Sequence, residues 1–363
     1  MAFGFGGGPK KQSFLGVDIG AGGVKVVELA NEKGRAVLLT YGYSERKAGE
    51  PVVSPFDDVK GTADTLANVC RQAGTKSVRA MAALPLSSIF STIIAVPRKK
   101  DEKELKPLID AQVAKLTPLP IAEMITYSTF IDELKGPAKP AKGAPAPAQG
   151  PEAKPSDYVR VLVTGAAKTL VQKYIDIFRM AKLELQAIDT ESFALVRALV
   201  GKDKSAILIL DMGSSRSSIS IVEKGIPFLT RSINVGGNLV TKKIMEQMKV
   251  SEAEAEQMKK DLPNLPPMLE SALAPILHEI QYALQLYARM ELTELKRVEK
   301  VILTGGSAHL PNLPEYLAAA LNLNVYRGDP WARVSTPTDL RPVLDEIGPR
   351  MAVSIGLAMR EIE

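Results

Sequence analysis

Two stretches of the chain share one pattern of apolar and polar positions. Residues 14–25 read FLGVDIGAGGVK and residues 206–215 read AILILDMGSS, so that in both a run of apolar residues ends in Asp-x-Gly, at Asp18 and at Asp211. After each Asp-x-Gly the chain passes through small residues into a second β-rich run. Two such runs joined by a short turn predict a β-hairpin in each stretch.

The pattern continues in the same order after each hairpin. A Lys-Gly pair follows, at residues 33–34 and at 224–225, and it leads into a third strand pattern at 36–40 and at 226–230. Glycine supplies the backbone conformation that tight turns between strands require. The repeated order predicts an α/β protein with two related lobes.

A long segment separates the two hairpins. Strand patterns at 77–82 and 90–96 precede an amphipathic helix that we predict over 101–116, and further strand patterns lie at 126–130 and 159–163. Because this segment is too long for a simple connection, we predict a small inserted α/β subdomain.

One part of that segment differs in composition from the rest. Residues 136–155 contain six prolines, six alanines and three lysines. Such a composition cannot bury a core, so it predicts an extended, flexible linker between two strands.

The second lobe continues with helical patterns. We predict helices over 238–249, 251–260 and 267–292, and a closing helix over 348–363. Ser251 with a glutamate three residues later is a capping box, which predicts that the second of these helices begins there.

The small residues of the two hairpin turns indicate an anion site. Glycine and alanine let backbone N–H groups converge on an anion without obstruction by side chains, and phosphate fits that description. Lys25 can then neutralise phosphate charge. The residues expected to contact phosphate are Gly20, Ala21, Gly22, Gly23, Val24 and Lys25 in the first turn, and Gly213, Ser214 and Ser215 in the second.

The two aspartates point to a metal ion. Asp18 and Asp211 lie too near a phosphate-binding turn to contact the anion directly, so their natural partner is a hydrated Mg²⁺ ion, which takes carboxylates singly and keeps its waters. The residues leave a second interpretation open, in which both aspartates only form turns at strand ends. Their repetition in matching strand context favours the metal.

Two further glycine pairs extend the candidate site. The first pair precedes a helical run, so it offers a helix N-terminus to an anion. The second pair follows a buried-strand pattern, and its turn would let a flat base or ribose approach the backbone. These residues are Gly236, Gly237 and Asn238 in the first case, and Gly305, Gly306 and Ser307 in the second.

Residues 15–29, 188–195, 225–237 and 303–310 carry a family resemblance. Their two hairpin turns, Gly-Gly helix start and later Gly-Gly resemble the actin-like ATPase superfamily. Within that superfamily the chain is similar to the PilM family of type IV pilus assembly, which is related to FtsA. The resemblance implies an actin-like ATPase fold of two duplicated lobes with an inserted SHS2-like subdomain.

The resemblance also implies domain boundaries. They are residues 1–77, 186–203 and 337–363 for lobe 1, 78–185 for the inserted subdomain and 204–336 for lobe 2.

Three more site residues follow from the resemblance. It places Glu256 and Lys259 beside the ribose and adenine, although the same residues are also compatible with an exposed helix face. Glu191 is the candidate for the catalytic role of orienting water, with capping or packing as its alternative role.

The function implied is that of a cytoplasmic scaffold that holds ATP and Mg²⁺ between its lobes. In the PilM family the partner is the N-terminal cytoplasmic segment of the membrane protein PilN, and the complex links the inner-membrane platform to the pilus motor. Attachment to the membrane would then come only through the partner. Phosphoryl transfer depends mostly on positioning and electrostatics, so such a site can bind ATP tightly and turn it over slowly. Self-assembly is left open.

Composition narrows the remaining classes. The net charge of +5 comes from lysines scattered among acids, and with 5% aromatic residues a nucleic-acid surface is not expected. No apolar run reaches the length of a membrane span, and the N-terminus lacks a signal-peptide pattern. Two alternatives stay open: an FtsA-like filament-forming ATPase tied to division or the membrane, and a small-molecule kinase of the same superfamily.

Overall fold

The computed structural model describes residues 12–46, 49–50, 53–99, 101–132, 157–261 and 267–362, and in the last range its side chains from residue 270 onward. The predicted linker over 136–155 lies outside these residues. The chain divides into two compact units, a larger one formed by residues up to Ser87 and from Leu170, and a smaller one formed by Ser88–Thr169.

Fourteen strands lie in the described ranges. They are β1 (Ser13–Gly20), β2 (Gly23–Glu32), β3 (Arg35–Tyr43), β4 (Arg79–Leu84), β5 (Ile89–Pro97), β6 (Met124–Phe130), β7 (Tyr158–Ala167), β8 (Glu184–Thr190), β9 (Ala206–Met212), β10 (Ser217–Glu223), β11 (Ile226–Ile233), β12 (Lys300–Thr304), β13 (Asn324–Arg327) and β14 (Val334–Ser335).

Nine α-helices accompany them in the same ranges. They are α1 (Val59–Ala73), α2 (Glu102–Leu116), α3 (Lys168–Met180), α4 (Glu191–Leu195), α5 (Gly237–Met248), α6 (Glu252–Asp261), α7 (Pro267–Arg289), α8 (Leu313–Leu321) and α9 (Arg341–Ala358).

The larger unit contains two sheets built in the same way. The first has the strand order β14-β3-β2-β1-β4-β8 and the second has the order β11-β10-β9-β12-β13. In both, three consecutive strands form an antiparallel meander. The first strand of the meander also pairs in parallel with a further strand, which is followed by a second parallel strand. The Lys-Gly turns match as well, because Lys33 and Lys224 both have positive φ and each is followed by a positive-φ glycine. The duplication predicted from the sequence is therefore present in the fold.

One continuous apolar core joins the two sheets. Leu29 of the first sheet and Ile209 of the second belong to the same buried cluster, together with Met351 of α9. Helix α9 approaches β1 closely because Gly16 has no side chain: a Cβ there would lie 1.8 Å from the carbonyl oxygen of Ser354. The two lobes are thus packed on one central helix.

The smaller unit is a three-stranded antiparallel sheet with one helix. Its strand order is β5-β7-β6, and α2 packs on it through Leu105, Ile109 and Val113. Asp101 caps α2 by accepting a hydrogen bond from the backbone N–H of Lys103.

The predicted domain boundaries stay a prediction. In the structure, β4 pairs with β1 and β8 in the first sheet of the larger unit, whereas the sequence assigned residues 78–185 to the inserted subdomain.

Several predicted elements differ in extent from those observed. The third strand pattern of the second copy, predicted at 226–230, extends to Ile233 as β11, and a bulge in its pairing lies opposite Ile221 and Val222. The closing helix α9 begins at Arg341, earlier than predicted, because proline is tolerated in the first turn of a helix. The capping box is confirmed: the backbone N–H of Ser251 donates to Glu254, and the N–H of Glu254 donates back to the Ser251 hydroxyl.

No helix in the described ranges combines the length and the apolar content that a membrane crossing requires.

Candidate functional site

The two hairpin turns of the larger unit meet each other. A Cβ on Gly22 in the first turn would lie 3.1 Å from the hydroxyl oxygen of Ser214 in the second. The first turn is tight, since Gly20 pairs directly with Gly23. The absence of side chains here lets the two turns approach.

The first turn carries an ion pair. Asp18 and Lys25 are partners in the register of β1 and β2, and their side chains therefore project on the same face. The ammonium group of Lys25 lies 2.7 Å from Asp18 Oδ2, and both side chains are mostly buried. Burial alone would lower the pKa of Lys25, but Asp18, Asp211 and Glu191 together raise it above its usual value.

The second turn carries a carboxylate that forms no ion pair with any residue the structure describes. Asp211 is the second-last residue of β9, and its register partner in β10 is Ser218, not a cation. A Cβ on Gly305, which has a φ of 85°, would lie 2.4 Å from Asp211 Oδ1, so only glycine leaves room for this carboxylate. Burial and the nearby Asp18 raise the pKa of Asp211 to about 6, against a smaller opposing effect of Lys25.

Glu191 is the third acid of the cluster. It opens α4 directly after the N-cap Thr190, and its Oε2 accepts a hydrogen bond of 2.9 Å from the backbone N–H of Leu86. Burial, followed by repulsion from Asp18 and Asp211, raises its pKa to about 8. Three carboxylates therefore share a confined space with one lysine.

The glycine pair before α5 contacts the second turn. The N–H of Gly237 donates to the carbonyl of Gly213 at 3.0 Å, and the N–H of Asn238 donates to the carbonyl of Ser214 at 2.7 Å. A Cβ on Gly236 would lie 2.6 Å from the Gly213 oxygen. These two donors therefore hold the turn in place, whereas the sequence interpretation expected the helix N-terminus to meet the anion itself.

The second glycine pair also lies beside this turn. The N–H of Gly305 and the hydroxyl of Thr304 both donate to the carbonyl of Pro349 in α9 at 2.9 Å. Ser307 is buried and donates to the carbonyl of Gly213 at 3.2 Å, while Gly306 is exposed. The turn after β12 is thus fixed to both α9 and the second hairpin.

Glu256 and Lys259 of α6 are half-buried and bonded to each other at 2.7 Å. Both also bond to the hydroxyl of Thr241 in α5. A Cβ on Gly237 would lie 3.5 Å from the Lys259 ammonium. The pair therefore faces the start of α5 and does not form a fully solvated helix face.

Two contacts beside the cluster, one to Glu191 and one to the end of β4, were not predicted from the sequence. The N–H of Leu86 fixes Glu191, and the buried hydroxyl of Tyr174 donates to the carbonyl of Ala83 at 2.6 Å. Burial, together with Glu191 and Asp18, raises the pKa of Tyr174. Backbone donors leave no signal in residue type, and Tyr174 lies on a helix far along the chain from Ala83.

Asp18, Asp211 and Glu191 do not together form a direct coordination shell for one ion. Within the described ranges, no group of three or more His, Cys, Asp or Glu side chains is close enough to hold a metal directly. The donor set nevertheless suits a hydrated divalent cation, because the pKa values of Asp211 and Glu191 are raised and a nearby positive charge would favour their ionised forms.

A model of one protein family matches most of the chain. A family model described as "Type IV pilus assembly protein PilM" matches residues 16–136 and 148–362. The cell division protein FtsA of Bacillus subtilis (strain 168) is 30% identical over 103 residues, which cover 28% of this chain and 23% of that protein. The chain thus matches about a quarter of the length of this curated relative.

Solved structures with the same fold cover nearly the whole chain. The structure titled "PilM-PilN type IV pilus biogenesis complex" superposes with a TM-score of 0.78 at 23% identity, covering 96% of this chain and 98% of that one. MreB5 of Spiroplasma citri bound to AMPPNP gives a TM-score of 0.54 at 13% identity, covering 96% and 95%. EutJ of Carboxydothermus hydrogenoformans gives 0.52 at 16% identity, covering 96% and 90%. The predicted actin-like α/β fold is confirmed.

Proposed function

The chain belongs to the family of type IV pilus assembly protein PilM, and from that membership we propose that it is a nucleotide-binding scaffold of the pilus assembly platform. The ligand would be ATP with Mg²⁺. The observation that carries the proposal is the meeting of the two Asp-x-Gly turns, which brings Asp18, Asp211 and Glu191 together around Lys25.

Each group in the cluster has a role in this proposal. Asp18 and Asp211 would hold a hydrated Mg²⁺ ion, which would supply positive charge against the negative charge of the phosphates. Lys25 holds Asp18 in place and neutralises phosphate charge. Backbone N–H groups of the first turn would cradle phosphate, as the small residues allow. The N–H of Val24 is not among them, because it donates to the hydroxyl of Ser44 at 2.9 Å. Support for a nucleotide comes also from the similar fold of MreB5 bound to AMPPNP.

Glu191 suits a slow reaction better than a fast one. Its pKa near 8 leaves it mostly protonated at pH 7, and its Oε2 is engaged by Leu86. A protonated carboxyl is a poor general base. A cation in the cleft would lower this pKa, so turnover would depend on the bound metal. We therefore propose at most slow hydrolysis.

The proposed partner is the N-terminal cytoplasmic segment of PilN, which would place the protein at the cytoplasmic side of the inner membrane and link it to the motor. Support comes from the family and from the similar fold of a PilM–PilN complex.

Calorimetric titration with a synthetic PilN N-terminal peptide tests the scaffold. We expect saturable 1:1 binding by the wild type and by Asp211→Ala without nucleotide, and no binding of a scrambled peptide. ATP consumption should not rise on addition of sugars or acetate. Failure of the peptide to bind with and without MgATP would contradict the scaffold, and strong stimulation by one acceptor would indicate a kinase.

A further inference from the structure

Arg216 closes the second hairpin turn. The N–H of Gly213 donates to its carbonyl at 2.9 Å, and a Cβ on Gly236 would lie 2.8 Å from its backbone nitrogen. The backbone of Arg216 is therefore fixed beside Ser214 and Ser215, at the end of the turn opposite to the contact of Gly213 with Ser307.

Among the described residues, the side chain of Arg216 has only neutral partners. Its Nε donates to Asn234 Oδ1 at 3.2 Å, and its Nη1 donates to the hydroxyl of Ser87. No carboxylate of the described residues forms an ion pair with it, although most other charged side chains near the two turns are paired. A guanidinium group with five donors is thus exposed at the edge of an anion-binding turn with its charge unmatched.

Ser87 connects this contact to the acidic cluster. It follows Leu86, whose N–H holds Glu191. The guanidinium therefore lies one residue away from the backbone donor that positions the third carboxylate. A phosphate that reached past the hairpin turn toward Glu191 would come within range of Arg216.

We propose that Arg216 binds the terminal phosphate of a nucleoside triphosphate and exchanges its bonds to Ser87 and Asn234 for it. The inference rests on the proposed nucleotide site and adds to it a residue that distinguishes a triphosphate from a diphosphate. Charge-assisted bonds to phosphate are about twice as strong as bonds to neutral oxygens, and the planar guanidinium fits phosphate in a bidentate manner. A diphosphate lacks the group that draws Arg216 away.

The test compares ATP with ADP, both with Mg²⁺, by calorimetry on the full chain. We expect Arg216→Gln to weaken ATP binding about tenfold and to leave ADP binding within about twofold. Arg216→Lys should restore part of the loss. Ser87→Ala should strengthen ATP binding or leave it unchanged, because it removes a competing acceptor.

Arg179→Gln is the matched control, since Arg179 is an exposed arginine on α3 bonded to Asp176 of the same helix. Thermal melting without nucleotide checks that each variant folds. If wild type binds both nucleotides and Arg216→Gln changes both equally or neither, this inference fails while the nucleotide site stands. If wild type binds neither nucleotide, the proposed function fails with it.

Discussion

The two lobes share a backbone design but differ in charge. Asp18 and Asp211 occupy equivalent positions at the ends of β1 and β9, yet the residue opposite the first is Lys25 and the residue opposite the second is Ser218. The first carboxylate therefore has an ion pair at 2.7 Å, whereas burial and Asp18 raise the pKa of the second to about 6. The duplicated strands place the two acids at equivalent positions, and the residue on the neighbouring strand determines whether each acid has an ion pair.

The turns differ in the same sense. The first hairpin closes directly between Gly20 and Gly23, while the second is a longer loop between Met212 and Ser217. The longer loop adds hydroxyl groups and Arg216, which the first turn lacks. We infer that the first lobe contributes a rigid turn whose charges are paired. The second lobe contributes hydroxyl groups and Arg216, which can change partners when a ligand binds.

The largest loss of stability is expected from a substitution where the first lobe contacts α9. Gly16 and Ile209 are equivalent strand positions, but only Gly16 lies against the Ser354 carbonyl, where a Cβ would lie at 1.8 Å. Gly16→Ala should destabilise the fold by about 4 kcal/mol or more, since the helix would have to move. Ile209→Val should cost about 1 kcal/mol. Urea denaturation measures both, and similar costs at the two positions would show that α9 does not depend on this glycine.

The second largest loss of stability is expected from replacing Lys25, the lysine of the acidic cluster. Lys25→Met leaves Asp18, Asp211 and Glu191 without a cation, and we expect a loss of about 3 kcal/mol in the free energy of unfolding at pH 8. The loss should shrink at pH 5, where Asp211 and Glu191 take up protons. Ser218→Ala, the equivalent change in the second lobe, should cost no more than about 1 kcal/mol. Equal costs at Lys25 and Ser218 at pH 8 would contradict the assigned charge difference.

Asp211 should give the unliganded protein a measurable pH dependence. A carboxyl whose pKa rises on folding binds its proton more tightly when folded, so stability falls as pH rises from about 4 through about 6. Asp211→Asn should remove about 2 kcal/mol of this fall. Denaturation curves of wild type and variant between about pH 4.5 and pH 8 measure this difference. The interval begins near the pKa of an aspartate in the unfolded chain and ends above its pKa in the folded chain. Parallel dependence of stability on pH in the two proteins would mean that the folded protein does not disfavour the ionised form of Asp211.

The smallest effect lies at a contact between a first-lobe loop and a second-lobe helix. Glu252 of α6 accepts from Arg46 at 2.6 Å and from the N–H of Gly49 at 2.7 Å. Glu252→Gln should cost about 1 kcal/mol. Glu246→Gln, at an exposed pair within α5, should cost less than about 0.5 kcal/mol. Salt should weaken the Glu252 contribution, and an unchanged cost in about 0.5 M salt would argue against an ionic contact.

The sequence predicted the frame of the site better than its bonding. Asp-x-Gly after an apolar strand is a local pattern, and its repetition led to both hairpins, both aspartates and the glycines beside them. The closeness of Gly22 to Ser214 could be inferred only from the family resemblance, because no local rule relates residues so far apart in the chain.

The unpredicted features depend on backbone groups and on long-range packing. The N–H groups of Gly237 and Asn238 were expected to face an anion, but in the folded chain the carbonyls of Gly213 and Ser214 take them. Likewise, the raised pKa of Glu191 results from burial and then from Asp18 and Asp211, which lie on the strands β1 and β9. Hydrophobic periodicity carries no information on either effect.

We propose that both lobes bind the same metal-bound triphosphate. Its most direct test is calorimetric titration of MgATP against wild type, Asp18→Asn, Asp211→Asn and the double variant. We predict that each single variant loses at least about tenfold in affinity, that the double variant loses less than the product of the two, and that the differences vanish in EDTA. Wild-type affinity in either single variant would contradict a shared site.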